Sequence, residues 1–258
     1  MSQLKVGFIT PPAWLDISPM EFLRIAPEDT IITQTLMRPP GFDYSMESIR
    51  GAVPELTACA QSLATAGVDV VAQFGYPFAF LHGWAGALEV QKEIERAIAK
   101  PFVMMGIEVV KALHDLSAMN IAVAATYYTK QTAQPLTSFL AEAGIRVSAM
   151  ENWESLGLVE GTTGSPFAGE GELDPMGWQT PRWAVEESLR RVAERAPDVD
   201  AILVSGGGMR LLDIAAGMER ELNKTIVGGD ISLYRAILRR IHVTVPVKGY
   251  GRLLESLD

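Results

Sequence analysis

At 258 residues the chain is long enough for one large domain or two small lobes with well-formed cores. Hydrophobic residues make up 48% and charged residues 21%, the balance of a globular protein, and a formal charge of −9 leaves no basic surplus to neutralise nucleic-acid phosphates. No apolar run reaches the roughly 18–20 residues that span a bilayer, and the single cysteine excludes an internal disulfide and a multi-cysteine metal site.

The N-terminus, Met1 to Thr10, runs straight into a strand pattern without the layout of a signal peptide. A cytoplasmic protein is therefore expected, without nucleic-acid or membrane partners. A small anionic substrate remains open, because a few local donors outweigh the global field.

Strand patterns fall at Lys5–Thr10, Thr30–Thr35, Val68–Gln73, Ile121–Thr126, Arg146–Met150, Ala201–Ser205 and Thr225–Val227. Several are continuous apolar runs, as expected when helices cover both faces of a parallel sheet. Helical periodicity lies between them, at Met46–Ala66, Ala85–Ala99, Gly106–Leu116, Thr132–Ala143, Trp183–Arg195, Leu211–Leu222 and Leu233–Arg240. Such alternation reads as an α/β fold with right-handed crossovers.

The chain also repeats itself. The run Val68-Asp69-Val70-Val71-Ala72-Gln73-Phe74-Gly75 aligns without a gap on Val199-Asp200-Ala201-Ile202-Leu203-Val204-Ser205-Gly206. Ala52-Val53 aligns with Ala184-Val185, and Ile9-Thr10 with Ala125-Thr126 at a shorter spacing, which puts extra residues near Glu160–Pro181. Two pseudo-symmetric Rossmann-like lobes with parallel sheets follow. We expect residues 1–118 with 228–258 in one lobe and 119–227 in the other. Ligands of open α/β sheets bind beyond the carboxyl ends of strands, so both glycine turns are expected on one cleft.

The first strand ends Ile9-Thr10-Pro11-Pro12-Ala13-Trp14 and lacks G-x-G-x-x-G, so dinucleotide binding fails at its diagnostic position. Gly206-Gly207-Gly208, between a strand and a helix, is expected to aim backbone N–H groups at an anionic oxygen; the alternative is a turn that merely needs positive φ. Tyr127 and Tyr128 also follow a strand, where a phenol donates to a carboxylate or enolate, or packs in the core.

These segments resemble the arylmalonate decarboxylases, in the maleate isomerase-like branch of the aspartate/glutamate racemase superfamily. The resemblance is carried by Ile9-Thr10-Pro11-Pro12-Ala13, Val70–Gly83, Ala125-Thr126-Tyr127-Tyr128, Leu203-Val204-Ser205-Gly206-Gly207-Gly208 and the closing Lys248-Gly249-Tyr250-Gly251-Arg252-Leu253. It implies a cofactor-independent lyase with no metal, in which backbone N–H groups, hydroxyls and a tyrosine hold a carboxylate and stabilise the enediolate left by loss of carbon dioxide. The matching positions are Gly75, Tyr76 and Pro77, then Tyr128, then Gly206, Gly207 and Gly208. Pro12, Tyr127 and Ser205 join them as expected substrate-binding residues.

The family's cysteine is replaced by Gly206, and neither turn carries a cysteine. Pro77 also removes a backbone N–H from the first turn. The only cysteine, Cys59, shares a helical face with Leu56 and Leu63 and reads as an inert core thiol. A two-cysteine racemase mechanism is thereby excluded.

The proton must come from elsewhere. Asp230, opening a helix after Gly228-Gly229, reads as an N-cap or as an ionised base. Tyr76 reads as a donor or as filled volume, and His82 as a titrating group or a surface residue; water is a further choice. The glycine-rich Glu160–Pro181 reads as a lid, with Trp178 and Trp183 closing over an apolar substrate part or packing on the second lobe, and Trp14 and Trp84 as apolar pocket walls.

The expected function is decarboxylation of an activated, malonate-like or aryl-substituted carboxylic acid, by a monomer or homo-oligomer. The alternatives are an isomerase or racemase-like enzyme with non-cysteine acid/base groups and an inactive carboxylate-binding homologue.

Overall fold

Apolar strand runs that need cover on both faces sort into two four-stranded, all-parallel sheets. The computed structural model describes residues 3–12, 15–43, 45–125, 130–158, 180–243 and 246–257. In the first sheet β1 (Lys5–Thr10) lies between β2 (Ile31–Leu36) and β3 (Val70–Gln73), with β4 (Phe102–Met104) beyond β3. The second repeats that order: β5 (Asn120–Ala125) lies between β6 (Arg146–Glu151) and β7 (Ala201–Ser205), with β8 (Thr225–Gly228) outermost. The internal repeat is thus two copies of one topology.

Every residue of β3, β4 and β7 is buried, which follows from helices on both faces. The connecting helices are α1 (Ser18–Leu23), α2 (Met46–Thr65), α3 (Pro77–Phe80), α4 (Gly83–Ile98), α5 (Met105–Asp115), α6 (Lys130–Glu142), α7 (Arg182–Arg195), α8 (Leu211–Leu222), α9 (Gly229–Arg240) and α10 (Arg252–Glu255). The start of α2 shows how local chemistry sets an end. Ser45 is extended, and its hydroxyl accepts the Ser48 N–H at 3.1 Å, satisfying one of the helix's unpaired donors.

The two sheets meet through helices in equivalent places. α5 follows β4 and α9 follows β8 without a loop, and the two helices pack against each other. Asp115 at the end of α5 accepts from both Arg235 and Arg239 of α9, each at 2.6 Å. α9 also contacts β3, β4 and β8, lying across the seam.

Four short elements were not expected from sequence. β4 has three residues and passes directly into α5, leaving too short an apolar run to separate from the helix. α1, α3 and α10 have six, four and four residues, too few to show a period. α9 begins at Gly229, four residues before Leu233, because Gly228-Gly229 resembles a loop in sequence.

Candidate active site

Both glycine turns sit at the carboxyl end of the third strand of their sheet. β3 ends at Gln73 and β7 at Ser205, and the chain then turns on Gly75 with φ 115° and Gly206 with φ 143°. L side chains rarely adopt that conformation, so the backbone favours glycine at both equivalent positions. The anion-binding and tight-turn readings of the second turn are therefore not exclusive.

In the first turn, Tyr76 and Pro77 lead into α3, where proline costs no hydrogen bond because the first N–H groups of a helix have no partner. Gln73 braces the turn, its Nε2 donating to the Gly75 carbonyl at 2.9 Å. The Gly75 N–H points to Met105 Sδ at 3.4 Å.

The aromatic residues of this turn reach into the second lobe. The Phe74 ring lies on Gly207, where a Cβ would come within 2.2 Å of Cζ. Tyr76 donates its hydroxyl to the Val204 carbonyl at 3.0 Å, and its ring lies against Gly229, where a Cβ would stand 2.6 Å from Cε2. Both side chains are almost fully buried. Phe74 and Tyr76 join the lobes at the point where the turns approach.

The second turn is held from α9. Asp230 Oδ1 accepts the Gly208 N–H at 3.2 Å and Oδ2 accepts the Met209 N–H at 3.1 Å. Among the described residues no partner is seen for the Gly207 N–H. Arg210, which precedes α8, has φ 55°, a left-handed conformation costing about 1–2 kcal/mol for an L residue. Strain of this kind persists where the surroundings fix the backbone, here beside the candidate site.

Beside this turn lies a group of buried acids. Tyr234 of α9 donates to Glu21 Oε2 of α1 at 3.0 Å, and Asp16 accepts from Ser18 N at 2.8 Å and Thr10 Oγ1 at 3.1 Å. Burial pushes the Glu21 carboxyl up to about 7, opposed mainly by the Tyr234 hydrogen bond. Burial also raises Asp230 well above the carboxylate range, and Glu21 and Asp16 push it further against the two backbone N–H bonds. Asp16 is raised by burial as well. Among the described residues no group of three or more His, Cys, Asp or Glu is arranged to hold a metal ion.

Several expectations need correction. Asp230 is not the N-cap but the second residue of α9, and its burial opposes the ionised form that the helix start alone would favour. Both oxygens of its carboxyl group accept amides of the second turn. Gly208 does not offer its N–H to a ligand, because Asp230 holds it. Tyr76 commits its phenolic proton to Val204, so it acts as a tie between lobes.

His82 precedes α4, half-buried, and burial followed by the nearby Arg50 lowers its pKa; no hydrogen bond brings it to either turn. Trp84 packs edge-on against Phe139 of α6 at 5.6 Å between ring centroids, joining α4 to α6. Cys59 is buried, with Sγ 3.9 Å from the Leu36 carbonyl and its pKa raised by burial, the setting of a core thiol.

Pro12 and Ser205 are buried at the ends of β1 and β7, and Pro77 sits at the first turn of α3. Trp183, at the start of α7, is 51% exposed. Trp14, Tyr127, Tyr128, Trp178 and most of Glu160–Pro181 fall outside the described residues. Phe74, Glu21, Asp16 and Tyr234 escaped sequence reasoning. Phe74 stood next to a recognised glycine, but the three others carry no local signal at all.

No helix among the described residues is long and apolar enough to cross a membrane. The curated arylmalonate decarboxylase of Bordetella bronchiseptica is 26% identical over 261 residues, spanning 97% of this chain and 96% of that protein. The crystal structure of an arylmalonate decarboxylase shares the fold with TM-score 0.76 and 22% identity, over 98% of this chain and 99% of that one. A maleate isomerase from Pseudomonas putida superposes with TM-score 0.83 at 18% identity, over the full length of both chains. The arylmalonate decarboxylase family pattern matches residues 6–162 and 178–254, broken only inside the enlarged segment, and the chain belongs to that family.

Proposed function

We propose that this chain is a cofactor-independent decarboxylase of an activated carboxylic acid, malonate-like or aryl-substituted. The observation that carries the reading is the second turn, a buried glycine N–H at the carboxyl end of β7 in a chain of this family. The similarity to a curated arylmalonate decarboxylase over nearly the whole chain supports the substrate class. A cytoplasmic location fits the free thiol at Cys59.

The chemistry asked of these residues is limited. The bond between the α-carbon and one carboxyl group breaks, and carbon dioxide leaves. The electron pair remains as an enediolate on the other carboxyl group, and a proton then adds to the α-carbon. The Gly207 N–H and Tyr128 are the donors proposed for the developing oxyanion, a role worth about 3–4 kcal/mol per donor. The protonating group is water or Tyr128, since the side chains of Tyr76 and Asp230 are engaged elsewhere.

Carbon dioxide release from a panel of malonates and other activated carboxylates tests this, with wild type compared against Tyr128→Phe. Release that falls about 100-fold or more in the variant supports the reading. No release, with substrate hydrogen exchanging in deuterium oxide, points instead to an isomerase or racemase-like enzyme. Binding without either reaction points to a carboxylate-binding protein.

A further inference from the structure

Asp230 is 1% exposed, and both its oxygens are occupied by successive amides of the glycine turn. Those amides lie immediately after Gly207, so the carboxyl group fixes the peptide planes on that side and leaves the Gly207 N–H unclaimed. A helix N-terminus would have been enough to hold a carboxylate here. The chain instead sets Glu21, 6% exposed, against Tyr234, one turn along α9 from Asp230, with Oε2 taken by Tyr234 and Oε1 buried without a hydrogen-bond partner among the described residues.

Among the described residues no ion pair joins a cation to Asp230 or Glu21. Arg24 is bound to Asp213 through both terminal nitrogens, at 2.6 and 3.2 Å. The groups acting on the pair are Asp16 before α1, Glu21 on α1, Arg24 just after it, Arg210 and Asp213 at the start of α8, and Tyr234 on α9. Two buried carboxyl groups that feel each other cannot both ionise cheaply, so a proton stays with them.

We propose that Asp230 is the positioning residue of the second turn, and that its protonation, biased by Glu21, decides how firmly the turn presents the Gly207 N–H. When Asp230 is ionised, both oxygens accept and both amides are held. When it is protonated, one oxygen becomes a donor and its amide is loosened. The turn is therefore set as pH rises and relaxed as pH falls. The consequence for catalysis rests on the decarboxylase reading, but the clamp itself does not.

The first test is the pH titration of the Gly208 and Met209 amide resonances by nitrogen-15 NMR in the intact chain. Both resonances are expected to move together, with one midpoint above the usual carboxylate range of about 4. Glu21→Gln removes the like charge and moves that midpoint to lower pH by at least about half a unit. Asp230→Asn abolishes the titration; if that variant does not fold, Glu21→Gln still decides.

Amides that stay flat with pH, or a midpoint unmoved by Glu21→Gln, overturn the proposal. The kinetic counterpart is an acid limb in carbon dioxide release that shifts with the amides. Titrating amides in a protein that releases no carbon dioxide keep the clamp and sink the decarboxylase reading. Release with flat amides does the reverse.

Discussion

The two glycine turns occupy equivalent places in the two lobes, yet they do opposite things. In the first, Gly75 is followed by Tyr76 and Pro77, and the aromatic side chains of Phe74 and Tyr76 fill space in the other lobe. In the second, Gly207 leaves room for the Phe74 ring, and Asp230 holds the backbone that follows. One turn supplies volume, and the other is the one proposed to supply a donor. An equivalent backbone does not oblige the two halves of an internal repeat to share chemistry.

The Phe74 contact is the sharpest place to break that division. Phe74→Ala empties a buried ring site and is expected to cost about 3–5 kcal/mol, read as a fall in chemical-denaturation midpoint. Gly207→Ala is expected to cost about 1–3 kcal/mol by overpacking, since its Cβ would stand 2.2 Å from Phe74 Cζ. The double variant should cost less than the sum, because each change relieves the other. Simple additivity would mean that the ring and Gly207 do not share one space, and the contrast between filling and donating turns would fail.

The acids behind the second turn give a smaller effect with a definite sign. Burial raises Glu21 from 4.5 in an exposed chain to about 7 when folded. The folded state thus favours the protonated form, and its contribution is complete below pH 4.5 and lost as pH rises to about 7. Above that window Glu21→Gln should gain up to about 3 kcal/mol relative to wild type, and near pH 4 almost nothing. Denaturation midpoints measured at both pH values check this. A gain equal at both would show that the cost of ionising Glu21 in its buried site is not the cause.

The difference between the turns also explains what could be read in advance. Strands such as Lys5–Thr10 and Ala201–Ser205 were legible to the residue, because buried parallel strands are continuous apolar runs. The repeat showed that two glycine turns exist, since Gly75 and Gly206 meet a backbone need visible in sequence. What each turn does depends on side chains from distant segments. Phe74 meets Gly207, and Glu21 meets Tyr234, only after both lobes have folded. No spacing along the chain encodes those pairs, and the same holds for Asp230. Its place beside two glycines suggested an N-cap or an ionised base, while burial first, and then the Glu21 carboxyl from α1, set its energetics.

Tyr76→Phe gives the smallest effect and decides between sequence position and geometry. The family resemblance puts Tyr76 at a pocket position, where a phenol donates a proton to substrate. Its hydroxyl here donates to Val204 at 3.0 Å from a fully enclosed site. If that bond is only a tie between lobes, removing the hydroxyl leaves the Val204 carbonyl one donor short and costs about 1–2 kcal/mol of stability. Carbon dioxide release should then change by no more than a few-fold, roughly the effect expected from a slightly looser lobe contact. A fall of about 100-fold with stability unchanged would mean that the hydroxyl leaves Val204 and works on substrate, returning the first turn to chemistry. Stability and turnover must be measured on the same variant, because only their disagreement separates a tie from a donor.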